Sequence, residues 1–163
     1  MGVPEKEKRG RLGGRSTNPY QEDKKYAEPT MCPRCGLQYH QGRWQSLHTE
    51  PEGKAQSSHC PACRRELDRY PDGVVRLRGA YLARHRDEIL SIARNQASAA
   101  AEKRPLQRIM WIEAQDGETE IATTNGHLAV RIGRAIEQAC KGMLDVKHGQ
   151  GAHLVRVYWE RNT

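Results

Sequence analysis

The residues best able to do chemistry are two cysteine pairs, Cys32-Pro33-Arg34-Cys35 and Cys60-Pro61-Ala62-Cys63, separated by residues 36–59. A C-P-x-C turn sets two thiolates on one side of an ion while backbone N–H groups approach the sulfurs. Two such turns supply four soft ligands at tetrahedral corners, the set that Zn²⁺ favours. Cys32, Cys35, Cys60 and Cys63 are therefore the expected ligands of one zinc ion. Four sulfur ligands leave no open position, so the ion is expected to be structural and not to activate water. His59, next to Cys60, and His40, between the pairs, read as surface or neighbouring side chains and not as ligands. Cys140 reads as a small core residue.

Other candidates for chemistry fail on context. Gly13-Gly14-Arg15-Ser16 resembles the end of a phosphate-binding loop, but Arg9 stands where the first glycine belongs and Arg15 replaces the lysine. No apolar strand pattern precedes it and no amphipathic helix follows. His85-Arg86-Asp87 looks like a kinase catalytic-loop fragment, yet it falls inside a helical pattern without the downstream Asn. No H-E-x-x-H or G-x-S-x-G is present. The expectation is a protein that is not an enzyme and uses no nucleotide cofactor.

Charge points toward a polyanion. Lys and Arg number 27 against 20 Asp and Glu, a formal net charge of +7, which favours phosphate contacts. Arg76, Arg78 and Arg84, with Arg94, Arg104 and Arg108 further on, gather around one predicted helix and its flanking strands. Tyr39 and Trp44 are candidates to stack on unpaired bases. The opposing reading has Trp44 packing on the metal module and the arginines solubilising the surface. No stretch has the roughly 18 apolar residues a bilayer span needs, and no secretory signal opens the chain. The expected setting is the cytoplasm, where thiols stay reduced and a metal site is favoured over a disulfide framework, with no membrane contact.

These groups need a scaffold. Residues 1–25, mixed in charge and rich in Gly and Arg, are expected to be a disordered basic tail. Residues 26–69 form the cysteine module, a zinc ribbon with a short hairpin over Leu37–Gln45. Residues 70–79 read as a linker or short strand. Residues 80–163 carry a helix over Tyr81–Lys103 and strand patterns at Leu106–Ala114 and Thr119–Thr123 joined at Asp116-Gly117. A second helix over His127–Lys141 is capped by Thr124 or Asn125 and stopped by Gly142, and a second hairpin spans Met143–His148 and His153–Glu160. The order helix, two strands, helix, two strands predicts an α+β fold: a two-layer sandwich of antiparallel sheet and two helices. Val155, Val157 and Trp159 should face one way, Arg156 and Tyr158 the other.

With these residues in view, the chain resembles an uncharacterised family of bacterial zinc-ribbon proteins. The resemblance rests on the two C-P-x-C pairs, Arg78-Gly79-Ala80-Tyr81-Leu82, His85-Arg86-Asp87-Glu88-Ile89-Leu90, Arg104-Pro105-Leu106-Gln107-Arg108-Ile109 and Thr123-Thr124-Asn125-Gly126-His127-Leu128-Ala129. It covers most of residues 30–161. A more distant similarity is to the N-terminal half of the archaeal and eukaryotic adaptor for nuclear export of the large ribosomal subunit, the nonsense-mediated-decay factor three type. That similarity implies ribosome or ribosomal-RNA binding; with one pair of knuckles here, an export role does not carry over.

The expectation is a non-catalytic zinc-binding protein that contacts RNA or the ribosome, the alternative being a ribbon that docks on a protein partner. On this reading, purified protein hydrolyses ATP no faster than a variant lacking residues 1–25. An ATPase activity abolished by that deletion would overturn the rejection of the Gly13–Ser16 loop.

Overall fold

The computed structural model describes Tyr20 and residues 26–47, 53–149 and 154–163. The basic tail, Tyr20 apart, the Glu50-Pro51-Glu52 loop and the tip of the last hairpin at residues 150–153 lie outside the described residues.

The cysteine unit is built from very short strands. β1 (Thr30–Met31), β2 (Gln38–His40), β3 (Arg43–Gln45) and β4 (Gln56–Ser57) form a sheet in the order β3-β2-β1-β4. β1–β2 and β2–β3 are antiparallel and β1–β4 is parallel. The hairpin expected between the cysteine pairs is β2–β3, turned by Gln41 and Gly42, both at positive φ. A helix not expected from the sequence follows: α1 (Pro61–Asp68) begins inside the second knuckle. Cys60 is its N-cap and Pro61 its first residue, where proline's missing N–H and fixed φ cost nothing.

The second unit holds β5 (Gly73–Arg78), α2 (Ala80–Lys103), β6 (Ile109–Gln115), β7 (Glu118–Thr123), α3 (Gly126–Cys140), β8 (Met143–His148) and β9 (Val155–Glu160). Its five strands run in the order β6-β7-β5-β9-β8. Both helices lie against one face, consistent with the α+β expectation.

The expectation of an antiparallel sheet is corrected. β5 lies at the centre and pairs parallel with β9, from Gly73↔Val155 to Arg78↔Glu160, while its pairing with β7 is antiparallel. The sheet is therefore mixed, and the stretch read as a linker or short strand supplies its central strand. Val75 and Leu77 are fully buried on the helix side, whereas Arg76 and Arg78 face solvent. Two arginines in a six-residue strand mask its central place.

The core joins Val75, Leu77, Ile89, Ile121, Leu128, Ile132, Ile136, Val157 and Trp159, all at most 1 % exposed. Each large side chain so buried stabilises the fold by roughly 1.5–3 kcal/mol before entropy is counted. Val157 and Trp159 face inward and Arg156 is exposed, as the alternation predicts. Trp159 also donates its indole N–H to the Lys141 carbonyl at 2.6 Å. Asn125 caps α3 by accepting from the N–H groups of His127 and Leu128, a contact worth about 1 kcal/mol. No helix among the described residues is long and apolar enough to cross a membrane.

One corner has no steric slack. Gly79, at φ +113°, turns β5 into α2 against the C-terminal backbone, and a Cβ there would lie 2.1 Å from the Arg161 carbonyl oxygen. Gly79→Ala should destabilise the unit by at least about 2 kcal/mol, read as a lowered midpoint in urea unfolding. An unchanged midpoint would contradict this close approach.

Candidate metal centre

The two knuckles solve the same problem in different ways. At the first, the chain folds back on itself: Gly36 N–H donates to the Cys32 carbonyl at 2.9 Å, and Cys32 N–H donates to the Leu37 carbonyl at 2.8 Å. Gly36 sits at φ +81°, a conformation glycine adopts without strain. At the second, Cys63 N–H donates to the Cys60 sulfur at 3.4 Å as α1 begins. A helix N-terminus is electropositive and favours a thiolate.

Together they bring the Sγ atoms of Cys32, Cys35, Cys60 and Cys63 within 4.8 Å of one another. Cys35 Sγ and Cys60 Sγ are 3.7 Å apart, far from bonding distance. A tetrahedron with metal–sulfur bonds near 2.3 Å has edges of roughly 3.8 Å. The tetrad thus fits one tetrahedral ion, such as zinc. Cys140 is absent from it, buried instead in the core of the second unit.

The electrostatics divide the tetrad. Burial opposes ionisation of Cys32, but the backbone N–H groups of Cys60, Cys35 and Arg34 outweigh it and hold the thiol at about 6. Burial pushes Cys60 and Cys63 up. A metal entering the site must displace the protons these two retain at neutral pH.

The sequence reading missed the role of Arg108. It stands just before β6, and its guanidinium crosses to the cysteine unit. Nη1 donates to Cys63 Sγ at 3.3 Å and to Glu66 Oε2 at 3.0 Å. Nη2 donates to Cys35 Sγ at 3.1 Å and to Cys60 Sγ at 3.5 Å. Its own burial opposes the charge, yet the hydrogen bonds to Cys63 and Cys35 raise its pKa above the usual arginine value. Arg34 joins from the first knuckle. It pairs with Glu66 Oε1 at 3.3 Å, and its hydrogen bond to Cys63 helps raise its pKa. Nothing in the local sequence links Arg108 to cysteines that precede it by dozens of residues.

The other candidate contacts are dispersed. Arg76 pairs with Glu120 at 3.2 Å, and Arg78 pairs with Glu160 at 2.9 Å and lies 3.9 Å from Glu118. Arg84 is exposed on α2. Tyr39 and Trp44 are each 6 % exposed and form an edge-to-face trio with Tyr26, ring centroids 5.1 to 5.6 Å apart. Both rings pack in the small core of the cysteine unit, Trp44 as the packing alternative had it and Tyr39 beside it.

A cleft of about 640 Å³ runs between the two units. Trp44 and Arg43 line one side; Glu102, Lys103 and Arg104 line the other. Arg43, Lys103 and Arg104 are exposed. The Trp44 indole N–H is buried and has no acceptor among the described residues.

Comparison with known proteins returns no matching family model, no matching curated protein and no matching solved structure.

Full-chain protein purified without chelator should carry one metal ion per chain. Cys60→Ser should remove it and unfold the cysteine unit, because structural sites of this type supply on the order of 10 kcal/mol or more of apparent binding energy. Elemental analysis giving well under one ion per wild-type chain would contradict the assignment.

Proposed function

We propose that this chain is a non-catalytic zinc protein that binds RNA, ribosomal RNA first. The ion is zinc because four thiolates at tetrahedral spacing are its characteristic structural donor set, and a closed set leaves no site for activating water. The observation that carries the RNA reading is the cationic cleft between the units, where Arg43, Lys103 and Arg104 outnumber Glu102. The net charge of +7 acts in the same direction. Arg76 and Arg78 contribute less on this reading, since their carboxylate partners already balance them, while exposed Arg84 adds to the field.

The alternative, a protein-interaction adaptor, finds its surface away from the ribbon hairpin, whose Tyr39 and Trp44 are buried, at the edge strand β8, where Met143 is 79 % exposed. Unpaired backbone at such an edge can accept a strand from a partner.

Binding of structured RNA should weaken steeply with salt. Replacing Arg43, Lys103 and Arg104 together with Gln should reduce the log–log slope by about 2, given a contribution of about 0.7 to 0.9 per phosphate contact, with metal content unchanged. Replacing Arg76 and Arg78 should change it less. No RNA retained at physiological salt, or a slope indifferent to the cleft variant, would overturn the RNA reading. A salt-insensitive protein partner lost on Met143→Lys would establish the adaptor instead.

A further inference from the structure

A metal ion of charge +2 held by four thiolates leaves a centre of net charge −2, and three of the four cysteines are fully buried. Such a charge is costly in a low-dielectric setting unless donors and cations surround it. Beside the sulfurs the cysteine unit places Arg34, which is itself paired with an anion, Glu66. Its own side chains therefore leave the centre under-compensated.

The missing charge comes from the other unit. Arg108 is anchored there by its backbone: its N–H donates to Thr124 Oγ1 at 2.9 Å, and its carbonyl accepts from Thr124 N–H at 2.9 Å. Its Nε donates to the Pro105 carbonyl at 3.1 Å, fixing the plane of the guanidinium. From that anchor the two terminal nitrogens reach Cys35, Cys60 and Cys63. The remaining sulfur, on Cys32, is served by backbone N–H groups. Lysine could present the charge but not the planar fork that spans three sulfurs.

We propose that Arg108 is a positioning residue for the metal centre, and that its fork couples metal occupancy to the docking of the cysteine unit on the α+β unit. The inference rests on the metal part of the function proposed above and is independent of RNA. Loading the ion fixes the three sulfurs at the spacing the Arg108 fork spans, and through Arg108 it holds the segment from Pro105 to Ile109. Removing the ion frees the sulfurs to move apart and loosens that hold. By linkage, docking must strengthen metal binding by the same factor by which the metal strengthens docking.

The test uses the full chain with Zn²⁺ and Co²⁺ as probes. Competition against a chromogenic chelator should show Arg108→Leu binding zinc about 10–100-fold more weakly than wild type, the usual range for losing a partner of the metal ligands. Glu66→Gln should bind within about threefold of wild type, because the bonds to sulfur and to Pro105 still hold Arg108. In the Co²⁺ form, Arg108→Leu should move the sulfur-to-metal charge-transfer band to lower energy, since thiolate electrons are less stabilised without the N–H donors. Chelating wild type should speed hydrogen exchange at the Thr124 amide, and chelating Arg108→Leu should speed it much less. If Arg108→Leu does not fold, Arg108→Lys takes its place and should still bind more weakly than Glu66→Gln. Equal losses in the Arg108 and Glu66 variants would reduce Arg108 to an ion-pair partner and overturn the proposal. An unshifted band, or Thr124 exchange indifferent to chelation, would overturn it also. Wild type that binds no metal would instead defeat the metal reading itself.

Discussion

Four sulfur atoms within 4.8 Å of one another are the constraint on which the N-terminal half of the structure depends. As thiolates they repel; as thiols they contribute little cohesion. The strands around them are two or three residues long, and the accompanying core consists mainly of Leu37, Tyr39, Trp44 and Ala62. So little apolar surface does not hold a unit of this size unless a staple is added. A metal ion would convert the repulsion into four bonds and fix both knuckles. Arg34 and Arg108 would then answer the charge that remained.

The second unit is held by apolar packing instead. Its core runs from β5 through both helices to β9, and Trp159 closes one end by packing and by its bond to Lys141. The two units meet at more than one place. Besides Arg108, the nearly buried Arg65 of α1 donates to the Tyr70 carbonyl at 3.0 Å and lies 3.6 Å from Asp72. Asp72 in turn accepts from Gly126 N–H at 2.7 Å, at the start of α3. The interface thus joins these polar contacts to Leu106, which packs against the core of the cysteine unit, and the cationic cleft opens beside it.

Much of this was legible in the sequence because local rules and tertiary needs agree. The cysteine spacing identifies the tetrad, and both long helices and the Asp116-Gly117 hairpin follow from period and punctuation. What stayed hidden was non-local. β5 is central because of the strands that flank it, and its outward arginines disguise it as a connector. α1 is short, and its N-cap, Cys60, is at once a member of the sulfur tetrad. Tyr39 and Trp44 have the composition of a stacking surface, but burial is decided by Tyr26, which lies well before them in the chain. Arg108 sat among the arginines read as a polyanion surface, and only the fold shows that sulfur is its partner.

The account therefore turns on what the four sulfurs hold. X-ray absorption at the zinc edge, on full-chain protein purified without chelator, reads the number and type of ligand atoms directly. Four sulfur scatterers at about 2.3 Å, with no nitrogen or oxygen in the shell, are the predicted result. A shell containing oxygen or imidazole nitrogen, or fewer than four sulfurs, would contradict it.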